Sequence, residues 1–372
     1  MNYSEHKKPI LLVGNGVRAA GATSLVVEYA RKTNIPVLTT MNAVDIAQDD
    51  LRIGMIGTYG NRWANMILEE CDLVISVGAR LGLRQIGHKK EWFAPKAKLV
   101  RADIDQAELS RNVKDDEEKH LMDAKDFMTS LLEKDLPDYT EWKKRCLAVK
   151  ELLAKYDNTE GNDAVEAISE LLPRNPILAI DIGQHQCWCA QSLALKGLEG
   201  RIMIGGGYGS MGCGLPYAIG ASISQGNGIV YCITGDGGLQ MNIQELETLA
   251  REQLPIKIIV INNKVLGKIS EIQHGSYHDR YAQTTANSGY TVPDFAKIAI
   301  AYGIRGVNIP SYHELKDYGS WFTDNEPCLI NMFLNPDTLL IPKIKWETGL
   351  IMPSLDEKLE KKVLSLLNFE GR

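Results

Sequence analysis

The feature that most constrains the fold is an alternation of short apolar runs with longer amphipathic or helix-like stretches. The apolar runs have the length of β-strands, and the stretches between them are long enough for helices. Parallel strands need such crossovers, so the alternation predicts an α/β fold with parallel sheets covered on both faces. In the first part of the chain the predicted strands are Ile10–Val13, Pro36–Thr40, Asp72–Val77 and Lys98–Ala102, and the predicted helices are Ala19–Lys32 and Asn61–Glu70.

The same alternation begins again after a charged interruption between about Leu132 and Asn162, where Pro137 and Gly161 act as helix breakers. The second part is predicted to contain a helix over Ala164–Leu172 and strands over Ile177–Ile182, Ile229–Thr234, Ile256–Ile261 and Cys328–Leu334. We therefore predict two domains, each a mostly parallel sheet flanked by helices. The predicted division is a Rossmann-like domain over residues 1–131, a linker over 132–162, a second domain over 163–345 and a C-terminal tail over 346–372.

The charge and hydropathy of the chain exclude several classes of function. The formal net charge of −6 argues against binding to nucleic acids or membrane surfaces, which favour a basic face. No apolar run approaches the roughly 18 residues that span a bilayer, and the N-terminus lacks the apolar core of a secretory signal. We predict a cytoplasmic protein, and we predict that the charged run at residues 114–120 is a solvated surface.

The cysteines do not form a recognisable framework. Seven cysteines in 372 residues are typical of reduced, buried thiols. His185, Cys187 and Cys189 lie close together in sequence, but no second pair of cysteines or histidines stands at the spacing of a four-ligand zinc site. The sequence therefore disfavours zinc.

Two polar motifs follow two of the predicted strands. Gly235-Asp236-Gly237-Gly238 comes directly after one strand, Asn262-Asn263 ends another, and 24 residues separate Gly237 from Asn262. One helical crossover fits this spacing, so Asp236 and Asn263 are expected at the same carboxyl edge of a parallel sheet. A carboxylate and an amide are oxygen ligands suited to Mg²⁺, and the glycines allow a diphosphate to approach the backbone.

The complete motif resembles the signature of thiamine-diphosphate enzymes. The segments 235–249 and 254–269 are similar to those of acetolactate synthase catalytic subunits. Residues 181–191 resemble the Gly-Gln-His-Gln loop of that family, and residues 206–221 resemble its glycine-rich cofactor segment. The first half is similar to the central domain of the same family, over residues 14–22, 36–45, 54–81 and 93–109.

The resemblance implies a role for each residue of these motifs. Asp236, Asn263 and the backbone carbonyl of Val265 would hold Mg²⁺. The backbone at Gly209 and Met211 would meet the aminopyrimidine, and the Met211 side chain would hold the cofactor in a bent conformation. The full implied cofactor-binding set is Gly183, Gln184, His185, Gly209, Met211, Gly235, Asp236, Gly237, Gly238, Asn263, Val265 and Gly267.

The first domain has a candidate for a second cofactor. The central domain of acetolactate synthases carries FAD, so the resemblance makes FAD a candidate here. The residues Gly14, Gly16 and Ala19 alone would suggest a dinucleotide fingerprint, but Met41 and Asn42 stand where its acidic residue is expected. The segment 80–87 also departs from the acid-containing form of the flavin-binding synthases.

The resemblance covers residues 8 to 340 and leaves out the pyrimidine-binding domain of the family. That domain supplies the glutamate that activates the cofactor, so no catalytic residue is assigned in this sequence. Three explanations stay open: a split enzyme with the pyrimidine domain on another subunit, a truncated product, or a piece of a longer enzyme. Assembly as a homo-oligomer, with a separate pyrimidine-domain subunit, or both, is expected.

The predicted function is a thiamine-diphosphate- and Mg²⁺-dependent carboligase or decarboxylase of 2-keto acids. Its model reaction is the conversion of pyruvate to 2-acetolactate or a related product. Glu271, Ile272 and Gln273 stand where acetolactate synthases carry Gln-Trp-Gln, and Lys268 replaces an apolar residue, so the acceptor substrate stays open. The alternative is a non-catalytic cofactor-binding subunit or truncated fragment, with a surface-polysaccharide pathway as one setting.

Overall fold

The computed structural model describes residues 5–47, 50–134, 136–195 and 200–369. The chain divides into two compact units. The first consists of Met1–Asp157 together with Ile341–Arg372, and the second of Asn158–Leu340.

The first unit is built on a six-stranded parallel sheet in the order β3-β2-β1-β4-β5-β6. Every residue of β1 and β4, the two central strands, is buried, because helices cover both faces. The strands are β1 Pro9–Val13, β2 Val37–Thr39, β3 Arg52–Met55, β4 Leu73–Val77, β5 Lys98–Asp103 and β6 Glu118–Leu121. The helices are α1 Asn15–Ala19, α2 Thr23–Thr33, α3 Arg62–Glu70, α4 Leu83–Ile86, α5 Gln106–Ser110, α6 Ala124–Leu132 and α7 Thr140–Leu153.

The second unit repeats this architecture with six parallel strands in the order β11-β12-β10-β9-β7-β8. Its helices are α8 Glu160–Leu171, α9 Gln184–Ser192, α10 Gly214–Ser224, α11 Asp236–Met241, α12 Leu246–Glu252, α13 Gly267–Tyr277 and α14 Phe295–Ala301. Its strands are β7 Ile177–Ile180, β8 Arg201–Ile204, β9 Val230–Gly235, β10 Ile256–Asn262, β11 Arg305–Ile309 and β12 Cys328–Phe333.

The strand order of the second unit predicts where a ligand binds. From β7 the chain first adds β8 on one side and then crosses to add β9 on the other. Open parallel sheets bind ligands at the carboxyl ends of the strands beside such a reversal. The carboxyl ends of β7, β9 and β10 are therefore the expected site, and these are the strands that precede the polar motifs.

After the second unit the chain returns to the first. A short antiparallel pair, β13 Lys343–Ile344 and β14 Ile351–Met352, is followed by α15 Glu357–Leu367. Val363 and Leu367 of α15 are fully buried, and Arg145 of α7 donates a hydrogen bond to the carbonyl of Leu366 at 2.9 Å. The segment predicted as a tail over 346–372 is thus, as far as residue 369, a packed part of the first unit.

The segment predicted as a linker over 132–162 also differs from the prediction. It contains α7, whose residues Trp142, Cys146, Val149 and Leu153 are buried in the core of the first unit. Their spacing places them on one face of a helix. The sequence predicts one amphipathic helix in this segment, but the helix is part of the first unit and not of a linker. The units change at Asp157 and Leu340, compared with predicted domain boundaries at 131, 162 and 345.

The predicted α/β fold class, two parallel-sheet domains flanked by helices, is confirmed. Each predicted strand coincides with an observed strand to within one or two residues at either end. Among the described residues, no helix combines the length and apolar character required to cross a bilayer.

Candidate functional site

Asp236 is the first residue of α11 and directly follows β9. Its side chain is buried, and its Oδ1 accepts a hydrogen bond from the backbone N–H of Gly237 at 2.8 Å. Its Oδ2 is buried and has no hydrogen-bond partner among the described residues. Burial raises the pKa of this carboxyl to about 7, because the surrounding structure disfavours its negative charge. A cation at Oδ2 would instead stabilise the ionised carboxylate and lower this pKa.

Asn263 lies at the end of the neighbouring strand β10. Its Nδ2 donates to Gln184 Oε1 at 3.0 Å, and its Oδ1 accepts from the backbone N–H of Val265 at 3.3 Å. Asn262 accepts from the backbone N–H of Lys264 at 3.1 Å. These bonds fix the turn after β10, which carries Asn263 and Val265 to the same edge of the sheet as Asp236.

The loop after β7 leads into α9, most of which is buried. A Cβ at Gly183 would lie 2.6 Å from the His185 ring, so only glycine leaves room for this imidazole. Burial lowers the pKa of His185 to about 4, so the ring is neutral at pH 7. Its Nε2 is buried and has no hydrogen-bond partner in the described part of the chain.

The glycine-rich segment after β8 forms a loop with left-handed backbone at Gly209 and Gly212, where φ is +69° and +84°. Such φ values favour glycine because a side chain would be strained. Met211, between the two glycines, is 37% exposed. Its terminal methyl lies 3.1 Å from the position that a Cβ would take at Gly237, so Met211 faces the start of α11.

These segments surround one cavity of about 190 Å³ in the second unit. All twelve residues of the predicted cofactor-binding set line it. Three polar atoms of its lining residues, Asp236 Oδ2, His185 Nε2 and Trp188 Nε1, are buried without a hydrogen-bond partner among the described residues. Buried polar groups are normally satisfied, so three unsatisfied groups around one cavity indicate a polar ligand.

Two glycines of the lining leave no space for a side chain. A Cβ at Gly267 would lie 1.9 Å from Gln184 Oε1, and one at Gly237 would lie 2.5 Å from Leu266 Cδ2. Both positions keep the loops after β9 and β10 close to the segment after β7. The sequence motif thus encodes close packing as well as access to the backbone.

The described residues contain no group of three or more histidine, cysteine, aspartate or glutamate side chains that could hold a metal ion. In the first unit, the N–H groups of Gly14 and Gly16 donate to the carbonyls of Val77 and Gly78 at 3.0 Å. They are therefore already used within the protein and are not available to a dinucleotide diphosphate.

Sequence reasoning missed one residue of this region that the structure makes prominent. Asp181 is buried directly after β7 and accepts hydrogen bonds from three different segments. Its position at the end of a buried strand was the available signal. Trp188, one turn into α9, was also missed as a lining residue.

Fold and cavity together define an α/β protein with a glycine-rich cavity, lined by buried polar groups, at the carboxyl edge of its second sheet. Two family models match the chain: "Thiamine pyrophosphate enzyme, central domain" over residues 4–131 and "Thiamine pyrophosphate enzyme, C-terminal TPP binding domain" over residues 181–332. The chain belongs to the thiamine pyrophosphate enzymes and contains their central domain and their C-terminal cofactor-binding domain. The resemblance found in the sequence is thereby confirmed.

Curated relatives of the chain are large subunits of acetolactate synthase. It is 36% identical to "Acetolactate synthase isozyme 2 large subunit" of Escherichia coli (strain K12), over 82% of this chain and 55% of the relative. It is 31% identical to "Probable acetolactate synthase large subunit" of Methanocaldococcus jannaschii, over 96% of this chain and 63% of the relative. The corresponding subunit of Lactococcus lactis is 33% identical over 92% of this chain and 60% of its own length. The chain thus spans somewhat more than half the length of these relatives.

Proposed function

We propose that the second unit binds thiamine diphosphate through Mg²⁺, with Asp236, Asn263 and the carbonyl of Val265 as the protein ligands of the metal. The observation that carries this proposal is the buried Asp236 Oδ2, which has no hydrogen-bond partner among the described residues and lies at a cavity edge. An amide oxygen and a backbone carbonyl beside a carboxylate form a hard-oxygen set suited to Mg²⁺, which completes its shell with phosphate oxygens and water.

The neighbouring residues have separate tasks in this proposal. Gln184 and the neutral His185 would bind the diphosphate, together with backbone N–H groups at the start of α11. Gly209 and Met211 would hold the aminopyrimidine. The bound cofactor supplies a carbon nucleophile for 2-keto acids, which is chemistry that amino-acid side chains lack. The protein contributes orientation and the exclusion of water by the apolar lining, including Ile182, Ile261 and Leu266.

The activity that fits best is an acetolactate-synthase-like carboligation or decarboxylation of a 2-keto acid such as pyruvate. The names of the relatives support the reaction class. Lys268 lines the cavity, and Ile272, one helical turn further along α13, is 48% exposed. Lys268 is therefore the residue of this segment that would contact the acceptor substrate, whereas Ile272 does not line the cavity.

The activating glutamate is not assigned in this chain, so we propose that a pyrimidine-binding domain completes the site. A separate subunit would supply it or, where the chain is a piece of a longer enzyme, a second copy of that enzyme. The cavity wall formed by Met211 and Ile269 is partly exposed, as expected for a surface that meets a further domain.

FAD remains a proposal for the first unit. A crevice of about 580 Å³ lies at the carboxyl ends of β1, β4 and β5 and is lined by Asp103, Asp105, Glu108 and Asp123. These carboxylates could accept hydrogen bonds from ribose hydroxyls. The arginine of the lining, Arg80, already donates to Glu108 at 2.7 Å. We therefore assign no flavin chemistry to this chain; the visible absorption of the purified protein is the direct test.

Calorimetric titration with thiamine diphosphate, with and without Mg²⁺, tests the proposal. Wild type should bind only with Mg²⁺, and Asp236→Asn should reduce the affinity at least about 100-fold, because it removes the charge that holds the metal. Asp163→Asn, a change on α8 outside the cavity, is the matched control and should bind like wild type. Equal affinity of Asp236→Asn and wild type would refute the metal site. Mg²⁺-dependent binding with no turnover of pyruvate even after a pyrimidine-binding domain is added would favour the non-catalytic alternative.

A further inference from the structure

Asp181 is a buried carboxylate to which the proposed cofactor chemistry assigns no role. It directly follows β7 and is 1% exposed. Its Oδ1 accepts hydrogen bonds from the backbone N–H groups of Ile182 at 2.6 Å and Gly212 at 2.8 Å. Its Oδ2 accepts from the Thr234 hydroxyl at 2.9 Å. One side chain therefore joins three segments: the start of the α9 loop, the glycine-rich loop and the end of β9.

Two glycines on neighbouring segments fit closely around this side chain. A Cβ at Gly238 would lie 2.5 Å from Asp181 Oδ2, and one at Gly214 would lie 2.8 Å from Asp181 Cβ. The first residue belongs to α11 and the second begins α10. Because Gly214 and Gly238 have no side chains, the Asp181 side chain fits between them. Such close packing defines the position of the carboxylate.

Each segment held by Asp181 continues into a different part of the cofactor cavity. Gly212 is adjacent to Met211, and Thr234 lies two residues before Asp236. Backbone bonds to a buried carboxylate are stronger than bonds between neutral groups, and the low dielectric around Asp181 strengthens them further. The loop of residues 205–213 has two left-handed glycines, and besides the bond to Asp181 it is held by Asn242, whose Nδ2 donates to the carbonyl of Gly212 at 2.8 Å.

We propose that Asp181 is a positioning residue that fastens the loop of residues 205–213, and with it Met211, to the strand end that carries Asp236. It touches neither metal nor substrate. Its effect on the cofactor rests on the proposed function, whereas its effect on the loop does not.

The first test measures the loop without any cofactor. Of the seven cysteines, all within described residues, six are buried and Cys213 is half-buried, with its Sγ 3.9 Å from Asp181 Oδ1. Burial, and after it the charge of Asp181, raises the pKa of the Cys213 thiol to about 11. The alkylation rate of Cys213 in the folded full chain, read by peptide mass spectrometry, therefore reports both the loop and the nearby charge.

Two substitutions separate these contributions. Asp181→Asn removes the charge but keeps an Oδ1 that can accept from Gly212, whereas Asp181→Ala removes both. We expect Cys213 to be alkylated at least about tenfold faster in Asp181→Ala than in Asp181→Asn, because loss of the acceptor for the Gly212 N–H allows the loop to open. Asp163→Asn on α8, which leaves Asp181 and its three contacts unchanged, should stay within about twofold of wild type. Equal rates in the alanine and asparagine variants would overturn the proposal.

If all seven cysteines are alkylated in the Asp181→Ala variant, this variant has unfolded. Hydrogen exchange of wild type and Asp181→Asn then tests the role of Asp181 in the loop. The Gly212 amide should then exchange slowly in both proteins. Rapid exchange of this amide in wild type would overturn the proposal.

The second test asks whether the fastened loop serves the cofactor. Asp181→Ala should bind thiamine diphosphate with Mg²⁺ about tenfold more weakly than wild type and should bind inorganic diphosphate with Mg²⁺ equally well, because Met211 faces the pyrimidine end. Unchanged affinity for thiamine diphosphate would overturn the role toward the cofactor. If wild type binds neither ligand, the proposed function fails, and the labelling experiment alone decides the role of Asp181 in the loop.

Discussion

At the scale of single residues, the site is determined as much by side chains that are absent as by those that are present. Gln184 accepts from Asn263, and this contact requires glycine at position 267 because a Cβ there would lie 1.9 Å from Gln184 Oε1. The two glycines after Asp236 are equally constrained, because a Cβ at Gly237 would lie 2.5 Å from Leu266 Cδ2 and one at Gly238 would lie 2.5 Å from Asp181 Oδ2. The polar side chains of the site therefore keep their positions only with glycine at the neighbouring positions.

Gly267→Ala should weaken Mg²⁺-dependent binding of thiamine diphosphate about tenfold, because the displaced Gln184 releases Asn263. The double variant Gln184→Ala/Gly267→Ala removes the clash and should bind no worse than Gln184→Ala alone. Gly220→Ala on α10 is the matched control, since its Cβ would meet nothing within 4 Å. Additive losses in the double variant, measured by calorimetry, would contradict this explanation.

His185 should make the stability of the cofactor-free protein depend on pH. Burial lowers its pKa to about 4, from the ordinary value of about 6.5, so below pH 6.5 the unfolded chain takes up a proton that the folded chain does not. Relative to His185→Gln, the free energy of unfolding of wild type should therefore fall by about 2 kcal/mol between pH 7 and pH 5 and change little above pH 7. Urea denaturation of both proteins measures this difference, from which the opposite effects of the raised pKa values of Asp236 and Glu69 cancel because both proteins carry them. Equal pH dependence of the free energy of unfolding in wild type and His185→Gln would mean that groups other than His185 cause it.

At the scale of secondary-structure elements, a chain of amides connects three strands of the second sheet. Asn262 Nδ2 on β10 donates to Asn331 Oδ1 on β12 at 3.0 Å, and Asn331 Nδ2 donates to Asn308 Oδ1 on β11 at 2.7 Å. Asn262 also fixes the turn that carries Asn263, through the N–H of Lys264. Through these hydrogen bonds, the positions of β11 and β12 are linked to Asn263, a proposed metal ligand.

Asn331→Ala should lower the free energy of unfolding by about 2–3 kcal/mol, because it leaves the buried Nδ2 of Asn262 without an acceptor. Asn308→Ala at the exposed end of the same chain should cost less than about 1 kcal/mol, since water can replace the lost group. Chemical denaturation of both variants tests the difference. Similar costs would show that the amide chain does not stabilise the sheet.

The elements that the sequence predicts well are the buried ones. Strands β1, β4, β9 and β10 are apolar throughout or nearly so, and their ends and following motifs could be predicted because burial leaves little choice of residue. The edge strands β6 and β11 alternate with charged or polar residues, and the run at 114–120, predicted as a solvated surface, contributes Glu117 to a buried pair with Arg101 at 3.2 Å. Asp181 and the amide chain depend on contacts between distant segments, which no local pattern encodes.

At the scale of the whole molecule, the first unit is made from two separated parts of the chain. The core formed by residues 5–157 is covered by α15, whose Leu367 is fully buried beside the α7 helix. Lys8 near the start of the chain donates to Asn368 Oδ1 at 3.0 Å. The two ends of the described chain therefore contribute to the same core.

Leu367→Ala should lower the free energy of unfolding of the first unit by about 2–4 kcal/mol, because it leaves a cavity beside α7. Scanning calorimetry should then show an earlier transition for the first unit and an unchanged transition for the second. Lys362→Ala, an exposed change on the same helix, is the control and should leave both transitions unaltered. A parallel shift of both transitions would mean that the two units unfold as one.

This arrangement has a consequence for the order in which the protein matures during translation. Residues 158–340 leave the ribosome before α15 does, so the second unit has all of its strands while the first still lacks its covering helix. The first unit therefore begins before the second along the chain and is completed after it. Nascent chains that end at residue 340 and continue in a linker long enough to fill the ribosomal exit tunnel should protect the second unit from protease while the apolar surface around Trp142 is still accessible.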